Sequence, residues 1–251
     1  MARVTERIRL GPAALNPFTL HPYEIAGQIA MLDAVSNRRA FLGLAKGAWL
    51  DRLGLGEERP LAAMKEAVEI IEALLAGDER GVAGERFTLT PGTKLSYPRM
   101  RGSVPLLIGT WGPATARWAG TVADEVKLGG SANPDFVPVV REWIANPAVR
   151  IVVGSVSVVD EDGKWARERA RAAVAPYLDI VAHLDSTLEL RDGQTPPLER
   201  SCIAGTPEEV AARVLELWDA GAGRVELGTP QGRTTTSGVD LICERVLPLL
   251  S

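Results

Sequence analysis

Short apolar runs alternate along the chain with longer segments in which apolar residues recur every three or four positions. Runs such as 40–44 and 104–108 are brief and continuous, which is typical of strands that are buried on both faces. The clearest helix covers residues 59–76, and Gly77 follows it at the position where a left-handed cap is expected. This alternation predicts βα units arranged around a parallel sheet.

The pattern divides the chain into six strand–helix units, with no linker between two halves. The predicted strands lie near positions 8, 40, 105, 125, 151 and 224, and a further very short strand is predicted near residues 202–204. The predicted helices are Pro22–Ser36, 59–76, Pro113–Val122, Pro134–Ile144, Gly163–Leu184, 206–220 and a last helix that ends at Leu249. We predict a single domain over residues 1–251, with an insertion near residues 79–103 and a loop over residues 186–200.

Composition and charge limit the class of partner. The chain has 251 residues, of which 46% are hydrophobic and 24% are charged, so it can build one large core. Its net charge of −4 gives no overall basic field that would favour nucleic acid or an anionic membrane. The sequence contains no run of about 18 apolar residues and no secretory signal, which predicts a cytoplasmic protein.

Cysteines and histidines are too few for a metal site or a disulfide framework. Cys202 and Cys243 are far apart and sit in no CxxC pattern, so we expect two small buried residues in a reducing compartment. The only histidines are His21 and His183, and we therefore predict no metal. His21 precedes a proline at a predicted helix start, where a cap or packing role is expected.

The strongest local signal for a ligand is the segment Ile108–Thr115. A strand ends there, glycines allow close approach of the backbone, and a helix begins at Pro113. Free N–H groups at a helix N-terminus and the helix dipole attract an anion such as a phosphate, and the hydroxyls of Thr110 and Thr115 offer further hydrogen bonds. A tight βα turn without a ligand has the same pattern, so both interpretations stay open from the residues alone.

Three further loops at strand ends are rich in glycine or proline. In residues 43–51, Lys46 can face a phosphate and Trp49 can wall a planar ring, although a surface lysine and a packed tryptophan are the preferred interpretation. Residues 10–22 read as a fixed loop, and residues 228–232 as either a loop that closes over a ligand or an ordinary turn. No dinucleotide-binding, P-loop, zincin or serine-hydrolase motif is present. The residues alone therefore predict a barrel-like α/β protein whose strand ends can hold an anionic ligand.

Several motifs taken together resemble one protein family. They are Arg7–Pro12 with Asn16-Pro17 and His21-Pro22, Ala30–Asp33, Arg39–Leu44, Ile108–Pro113 with Ala119-Gly120 and Ala123-Asp124, and Gly205–Val210. This combination resembles the bacterial luciferase-like monooxygenase superfamily, and the segment that begins at Ile108 is similar to its branch that uses coenzyme F420. The resemblance implies a (β/α)8 TIM barrel with an insertion, whose cofactor lies at the C-terminal ends of the strands.

The resemblance also implies a set of cofactor contacts. Ala13 and Ala14 match a bulge that backs the flavin ring, often through a cis peptide bond. Further matched contacts are Lys46, Gly47 and Asp51, and the helix start that holds the cofactor's phosphate is matched by Trp111, Gly112, Ala114 and Thr115. The implied activity is hydride transfer between coenzyme F420 and a small organic substrate, such as a methylenetetrahydromethanopterin-like molecule. FMN is the alternative cofactor, in an oxygen-activating monooxygenase.

Two departures from the family pattern matter. Ala48 stands where the sugar-phosphate branch has a glutamate, and alanine cannot transfer a proton. The family also has two further βα units before the strand that Ile8–Leu10 match, and those units carry an acidic residue and, in some branches, a histidine. The sequence therefore predicts an incomplete barrel of about six units and assigns no catalytic residue. The rival interpretation is a truncated, non-catalytic relative that binds a ligand or a partner. Exposed strand edges of such an incomplete barrel would favour pairing with another chain, as in a homo-oligomer.

Overall fold

The computed structural model describes residues 1–48, 50–97, 99–181, 183–189 and 194–251. Its helices are Pro22–Val35 (α1), Pro60–Ala76 (α2), Pro113–Val122 (α3), Phe136–Ile144 (α4), Gly163–Val181 (α5), Leu198–Ser201 (α6), Pro207–Asp219 (α7) and Thr235–Leu241 (α8). Its strands are Leu42–Ala45 (β1), Val82–Ala83 (β2), Thr88–Leu89 (β3), Leu106–Gly109 (β4), Glu125–Gly129 (β5), Arg150–Val159 (β6), Cys202–Gly205 (β7) and Arg224–Gln231 (β8). No helix in this part of the chain is long and apolar enough to cross a membrane.

The described residues divide into two compact units. Unit 1 is residues 1–110 with 122–124, and unit 2 is residues 111–121 with 125–251. Parallel pairing joins β1 with β4 in unit 1 and joins β5, β6, β7 and β8 in unit 2. The predicted parallel α/β architecture is therefore confirmed, and the very short strand expected near residue 202 is present as β7. A single domain over the whole chain stays a prediction.

In unit 1, β1 pairs in register with β4, from Leu42 opposite Leu106 to Ala45 opposite Gly109. The apolar stripe of α2 is buried as its spacing predicts, and Gly77 ends the helix in the left-handed conformation with φ of 75°. Within the predicted insertion, β2 and β3 form a small antiparallel pair.

The strand predicted at Ile8–Leu10 is wrong in its extent. Leu10 makes one isolated parallel bridge to Ala40, and the residues before it are not extended. The guanidinium of Arg39 gives the physical reason, because it donates to the main-chain oxygens of Thr5 and Ile8 at 2.8 and 2.7 Å. A side chain thus takes the carbonyl group that a neighbouring strand would otherwise use.

In unit 2, β6 is the central strand. It pairs with β5 through its first half, with β7 through its second half, and with β8 along Val152–Val158. Helix α5 packs against β6 and β7 through a small apolar cluster: Val158, Ala166, Ala170, Val174, Leu178 and Cys202. Strands β5, β6 and β8 run parallel, and β8 ends beside the end of β6, with Gln231 opposite Val158, whereas β5 ends earlier, with Gly129 opposite Gly154.

Helix ends agree with the sequence where a local capping signal exists. The hydroxyl of Thr206 accepts the Glu209 N–H at 3.4 Å, and the Glu209 carboxylate accepts the Thr206 N–H at 2.8 Å, so α7 begins with the predicted cap. Helix α3 also has the predicted bounds, but other helix ends differ from the prediction by a few residues, and α4 begins at Phe136 and not at Pro134. Helix α5 ends at Val181, α6 lies inside the predicted loop, and the last helix passes into a π-helical and then a 3₁₀ turn after Leu241.

The two cysteines have different environments, and both are free thiols. Cys202 is buried, and its burial raises the pKa of the thiol to about 12. Cys243 is exposed, so the prediction that both cysteines are buried is wrong. It lies in the π-helical turn Ile242–Val246, where three consecutive residues from 243 onwards face solvent.

Candidate functional site

Residues 11–14 form a bulge beside the first half of β1. Residue 10 bridges Ala40, just before β1, and the chain pairs again at residue 15, which bridges Leu44 of β1. The peptide bond between Ala13 and Ala14 is cis, as the resemblance implies, and both residues are exposed. Gly43 makes room for the bulge, because a β-carbon at that position would lie 2.3 Å from the Pro12 carbonyl oxygen. The bulge therefore rests directly on the backbone of the strand.

Asn16 fixes the turn that follows β1. Its Nδ2 donates to the Lys46 carbonyl oxygen at 2.7 Å, and its Oδ1 accepts the Phe18 N–H at 2.7 Å. Gly47 has φ of 84°, and a β-carbon there would lie 2.1 Å from Asn16 Nδ2. Lys46 and Gly47 are exposed on this turn. Lys46 is therefore a surface lysine, which is the interpretation that the sequence alone favours.

The residues after this turn complete the predicted contacts of unit 1. Asp51 is exposed in the 3₁₀ turn Leu50–Leu53, and Ala48 is exposed before it. Trp49, the candidate wall of a ring site, lies outside the described residues. Unit 1 thus carries five predicted contacts on the loops before and after β1: Ala13, Ala14, Lys46, Gly47 and Asp51.

Trp111 begins the predicted phosphate segment of unit 2. Its indole Nε1 donates to the Gly129 carbonyl oxygen at 3.0 Å, where β5 ends. Its ring stacks on Phe136 at the start of α4, with centroids 5.4 Å apart and an interplanar angle of 21°. Two anchors therefore hold the half-buried indole against the loop that joins β5 to α4.

Helix α3 begins at Pro113, two residues after Trp111. The Ala116 N–H donates to the Gly112 carbonyl oxygen at 3.0 Å, which closes the first helical turn. The N–H groups of the residues within that turn have no partner inside the helix, so Ala114 and Thr115 present donors at the positive end of the helix dipole. A β-carbon on Gly112 would meet no atom within 4 Å, so the space beside its backbone is open to an anion.

Sequence reasoning missed a ladder of charges on one face of the unit 2 strands. Lys127 on β5 pairs with Glu226 on β8, and it passes over Gly154, where a β-carbon would lie 2.8 Å from Lys127 Cε. Glu226 also pairs with Arg224 at 3.1 Å, and Arg224 pairs with the buried carboxylate of Glu125 at 2.7 Å. Both strands carry charged residues at alternate positions, and this alternation is the sequence signal from which the ladder could have been predicted.

A second missed feature is a buried polar junction in the β5–α4 loop. Asn133 is 1% exposed, and the carboxylate of Asp185, with which it is hydrogen-bonded, is also buried. The two residues are 52 positions apart, so no local pattern links them.

Two other candidates have packing roles in the structure. His21 Nδ1 accepts the Tyr23 N–H at 3.1 Å, so His21 caps α1 as expected, and its ring packs edge-on against Phe87. The prediction that residues 228–232 form a loop or turn after the last strand is wrong, because β8 continues to Gln231. A β-carbon on Gly228 would lie 2.5 Å from the Ser155 carbonyl oxygen of β6. Close packing between strands is therefore sufficient to require that glycine.

The sequence of this chain is similar to one protein family and to characterised members of it. The family model for luciferase-like monooxygenases matches residues 1–224. The 5,10-methylenetetrahydromethanopterin reductase of Archaeoglobus fulgidus is 30% identical over 290 residues, which cover 100% of this chain and 85% of that protein. The F420-dependent glucose-6-phosphate dehydrogenase of Microbacterium testaceum is 27% identical, over 98% of this chain and 79% of its own length.

A solved structure agrees over the whole chain. The coenzyme F420-dependent tetrahydromethanopterin reductase from Methanopyrus kandleri superposes with a TM-score of 0.80 at 23% identity, and it covers 100% of this chain and 85% of its own. At this identity the similarity shows the fold alone. The predicted TIM barrel of the luciferase-like type is thereby confirmed for this chain.

Proposed function

The chain belongs to the luciferase-like monooxygenase family, and we propose that it is an oxidoreductase that transfers a hydride between coenzyme F420 and a small organic substrate. The observation that carries this proposal is that relatives matching almost the whole chain are named for coenzyme F420 while they act on different substrates. The shared property is the cofactor, and the substrate of this chain stays open between a methylenetetrahydromethanopterin-like molecule and another small molecule.

The residues at the start of α3 fit the phosphate of such a cofactor. The space beside Gly112 is open, α3 begins at the next residue, and the Thr115 hydroxyl lies in the first turn of that helix. In unit 1 we assign Ala13, Ala14, Lys46, Gly47 and Asp51 as contacts, and in unit 2 Trp111, Gly112, Ala114 and Thr115. Each of these assignments is a prediction of binding.

The chain supplies binding and orientation, and the cofactor supplies the redox chemistry. When bound, coenzyme F420 provides a deazaflavin ring that accepts or donates a hydride. The α3 dipole and the Lys46 ammonium attract negative charge, and the two small side chains at the Ala13–Ala14 bulge leave a planar ring free to lie against the backbone. We assign no residue to proton transfer. Ala48 stands where the sugar-phosphate branch of the family has a glutamate, and an alanine side chain cannot donate a proton.

Fluorescence titration of the purified chain with coenzyme F420, and separately with FMN, tests the proposal. We expect saturable binding of coenzyme F420 and at least about tenfold weaker binding of FMN. Tighter binding of FMN supports an oxygen-activating monooxygenase instead. Absence of binding to either cofactor at high micromolar concentration contradicts both activities for this chain.

A matched pair of lysine variants sharpens that test. Lys46 and Lys65 are both exposed lysines of unit 1, but only Lys46 stands on the turn after β1. Lys46→Met is expected to weaken the binding of coenzyme F420 more at low salt than at high salt, because the lost interaction is electrostatic. Lys65→Met removes the same charge from α2 and is expected to leave the affinity unchanged.

A further inference from the structure

We propose that Asn133 is a positioning residue for Trp111, which precedes α3 and is one of the proposed cofactor contacts of unit 2. It acts through the loop against which Trp111 packs. That loop covers residues 129–136 and joins β5 to α4. Trp111 contacts it at both ends, through the hydrogen bond to the Gly129 carbonyl oxygen and through the stacking contact with Phe136. A change in the loop therefore moves both anchors of the indole at once.

Asn133 holds the middle of the loop by using both ends of its amide. Its Nδ2 donates to Asp185 Oδ2 at 2.7 Å and to Thr187 Oγ1 at 2.8 Å. Its Oδ1 accepts the Asp135 N–H at 3.1 Å and a hydrogen bond from the Arg200 guanidinium. These partners belong to three separate segments. Asp135 lies in the same loop, Asp185 and Thr187 lie after α5, and Arg200 lies in α6.

The chemistry of the junction requires an amide. Asp185 is buried, and its Oδ1 is already occupied by the Thr187 N–H at 3.0 Å and the Thr187 hydroxyl at 2.7 Å. The Asn133 amide is the donor to its other oxygen, and a buried carboxylate oxygen that loses its donor is costly. An aspartate at position 133 would place a second carboxylate against the first, which is unfavourable.

Main-chain contacts from two helices close the same loop. The Ala132 N–H donates to the Arg200 carbonyl oxygen at 2.9 Å, and the Arg213 guanidinium of α7 donates to the Ala132 carbonyl oxygen at 2.6 Å. Arg200 also pairs with Asp135 at 2.7 Å. The loop is thus held on one side by α6 and α7 and on the other by the segment 183–189, with Asn133 as the side chain common to both.

The indole N–H of Trp111 gives a readout that needs no cofactor. Its signal in a ¹⁵N-labelled sample is assigned by its loss in Trp111→Phe, and its exchange with solvent reports the hydrogen bond to Gly129. We expect Asn133→Ala to shift this signal and to accelerate its exchange by about tenfold or more. Thr187→Val, which removes one of the acceptors of the amide, is expected to act in the same direction and less strongly, and it serves if Asn133→Ala does not fold.

Asn146 offers a matched control in the same unit. Its Nδ2 donates to the Gly120 carbonyl oxygen at 2.8 Å and its Oδ1 accepts the Ala148 N–H at 3.0 Å, so it holds the opposite end of α3. Asn146→Ala is expected to lower stability while the Trp111 indole keeps its shift and exchange rate. Equal indole behaviour in the two asparagine variants, both folded, would overturn the proposal.

Cofactor affinity is the second readout, and it rests on the proposed function. We expect Asn133→Ala to weaken coenzyme F420 binding by about tenfold in the wild-type background and by less than about twofold in the Trp111→Phe background. Additive losses in the two backgrounds contradict action through Trp111. If the wild-type chain binds no cofactor, the proposed function fails, while the indole measurement still decides the role of Asn133.

Discussion

The loops that carry the predicted cofactor contacts are held by different means in the two units. In unit 1 the bulge at residues 11–14 lies on the backbone of β1, where Gly43 allows close approach, and the half-buried Asn16 holds the following turn. In unit 2 the loop beneath Trp111 is held by buried polar side chains that come from distant parts of the chain. Contact between backbones tolerates no added atom, whereas a buried polar network tolerates no missing partner.

This difference decides which substitutions each region tolerates. The unit 1 loops are expected to be insensitive to the loss of most side chains and highly sensitive to any enlargement at their glycines. The unit 2 loop is expected to behave in the opposite way, because each polar group was removed from water and depends on its partner.

The largest effect is expected from Gly43→Ala. Its new methyl group would lie 2.3 Å from the Pro12 carbonyl oxygen and 3.0 Å from the Ala13 α-carbon, and both are main-chain atoms that cannot turn aside. We expect the free energy of unfolding to fall by about 3 kcal/mol or more, as measured by urea denaturation. A loss below about 1 kcal/mol would show that the bulge moves freely on β1 and would remove the contrast between the units.

Gly112→Ala is the counterpart of that variant in unit 2. No atom lies within 4 Å of the added methyl group, so the fold is expected to keep its stability within about 0.5 kcal/mol. The same methyl group would occupy the space proposed for the phosphate, so cofactor affinity is expected to fall. Comparison of the two variants distinguishes a glycine required for stability, Gly43, from a glycine required for cofactor binding, Gly112.

Lys127→Met is expected to have the next largest effect. It leaves Glu226 without its nearest cation in a site where the lysine side chain is 14% exposed. Breaking a buried pair costs about 3–5 kcal/mol, and the remaining contact between Arg224 and Glu226 at 3.1 Å reduces the expected loss to about 2 kcal/mol. Denaturation of this variant, of Glu226→Met and of the double variant measures the coupling, and additive losses would contradict a true ion pair.

Local signals in the sequence identify much of this architecture. Thr206 and Glu209 are three positions apart and cap α7 reciprocally, and Gly77 ends α2, because both signals depend on neighbouring residues. Several motifs taken together, from Arg7–Pro12 to Gly205–Val210, predict the family, which the match over residues 1–224 confirms. The cis bond at residues 13–14 followed from the same resemblance.

Long-range side-chain pairing limits the rest. The bonds from Arg39 to Thr5 and Ile8 replace a predicted strand, and the bond from Asn133 to Asp185 joins residues 52 positions apart. Neither leaves a periodic trace in the sequence, because such pairs depend on the final path of the chain. The charge ladder of unit 2 has alternation on two strands, but only knowledge of the strand order brings those charges together.

Asn16→Ala is expected to give a smaller effect, and it tests the one side chain on which the unit 1 loops depend. It removes the hydrogen bond to the Lys46 carbonyl oxygen and the one accepted from the Phe18 N–H, both 2.7 Å long. Because these groups are partly exposed, water replaces much of the loss, and we expect a fall of about 1–2 kcal/mol. Gln28→Ala, on the exposed face of α1, is the control that should change stability by less than about 0.5 kcal/mol.

The smallest effect is expected at Asp160, a buried carboxylate after β6, and it appears only in acid. Burial raises the pKa of Asp160, but the hydrogen bonds from Arg233 and the Asp162 N–H, with the charge of Arg233, outweigh this and hold its pKa below the ordinary 3.8. Its stabilising contribution is therefore present above pH 3.8 and is lost as the pH falls through the lowered folded pKa. Since the Arg233 side chain is 54% exposed, the contribution is expected to stay below about 1 kcal/mol.

Arg233→Gln tests that acid dependence. The stability difference between this variant and the wild type is expected to be constant from about pH 5 to 7 and to shrink below the ordinary pKa of 3.8. An NMR titration should show the Asp160 carboxyl titrating at a higher pH in the variant, and Asp160→Asn should abolish the pH-dependent difference. Arg233 also lies 4.3 Å from the centre of the Trp165 ring, so the pH-independent part that remains in Asp160→Asn measures this cation–π contact. A difference that persists unchanged to pH 2 would assign the whole effect of Arg233 to Trp165, and unit 2 would then hold this position by packing, as unit 1 holds its loops.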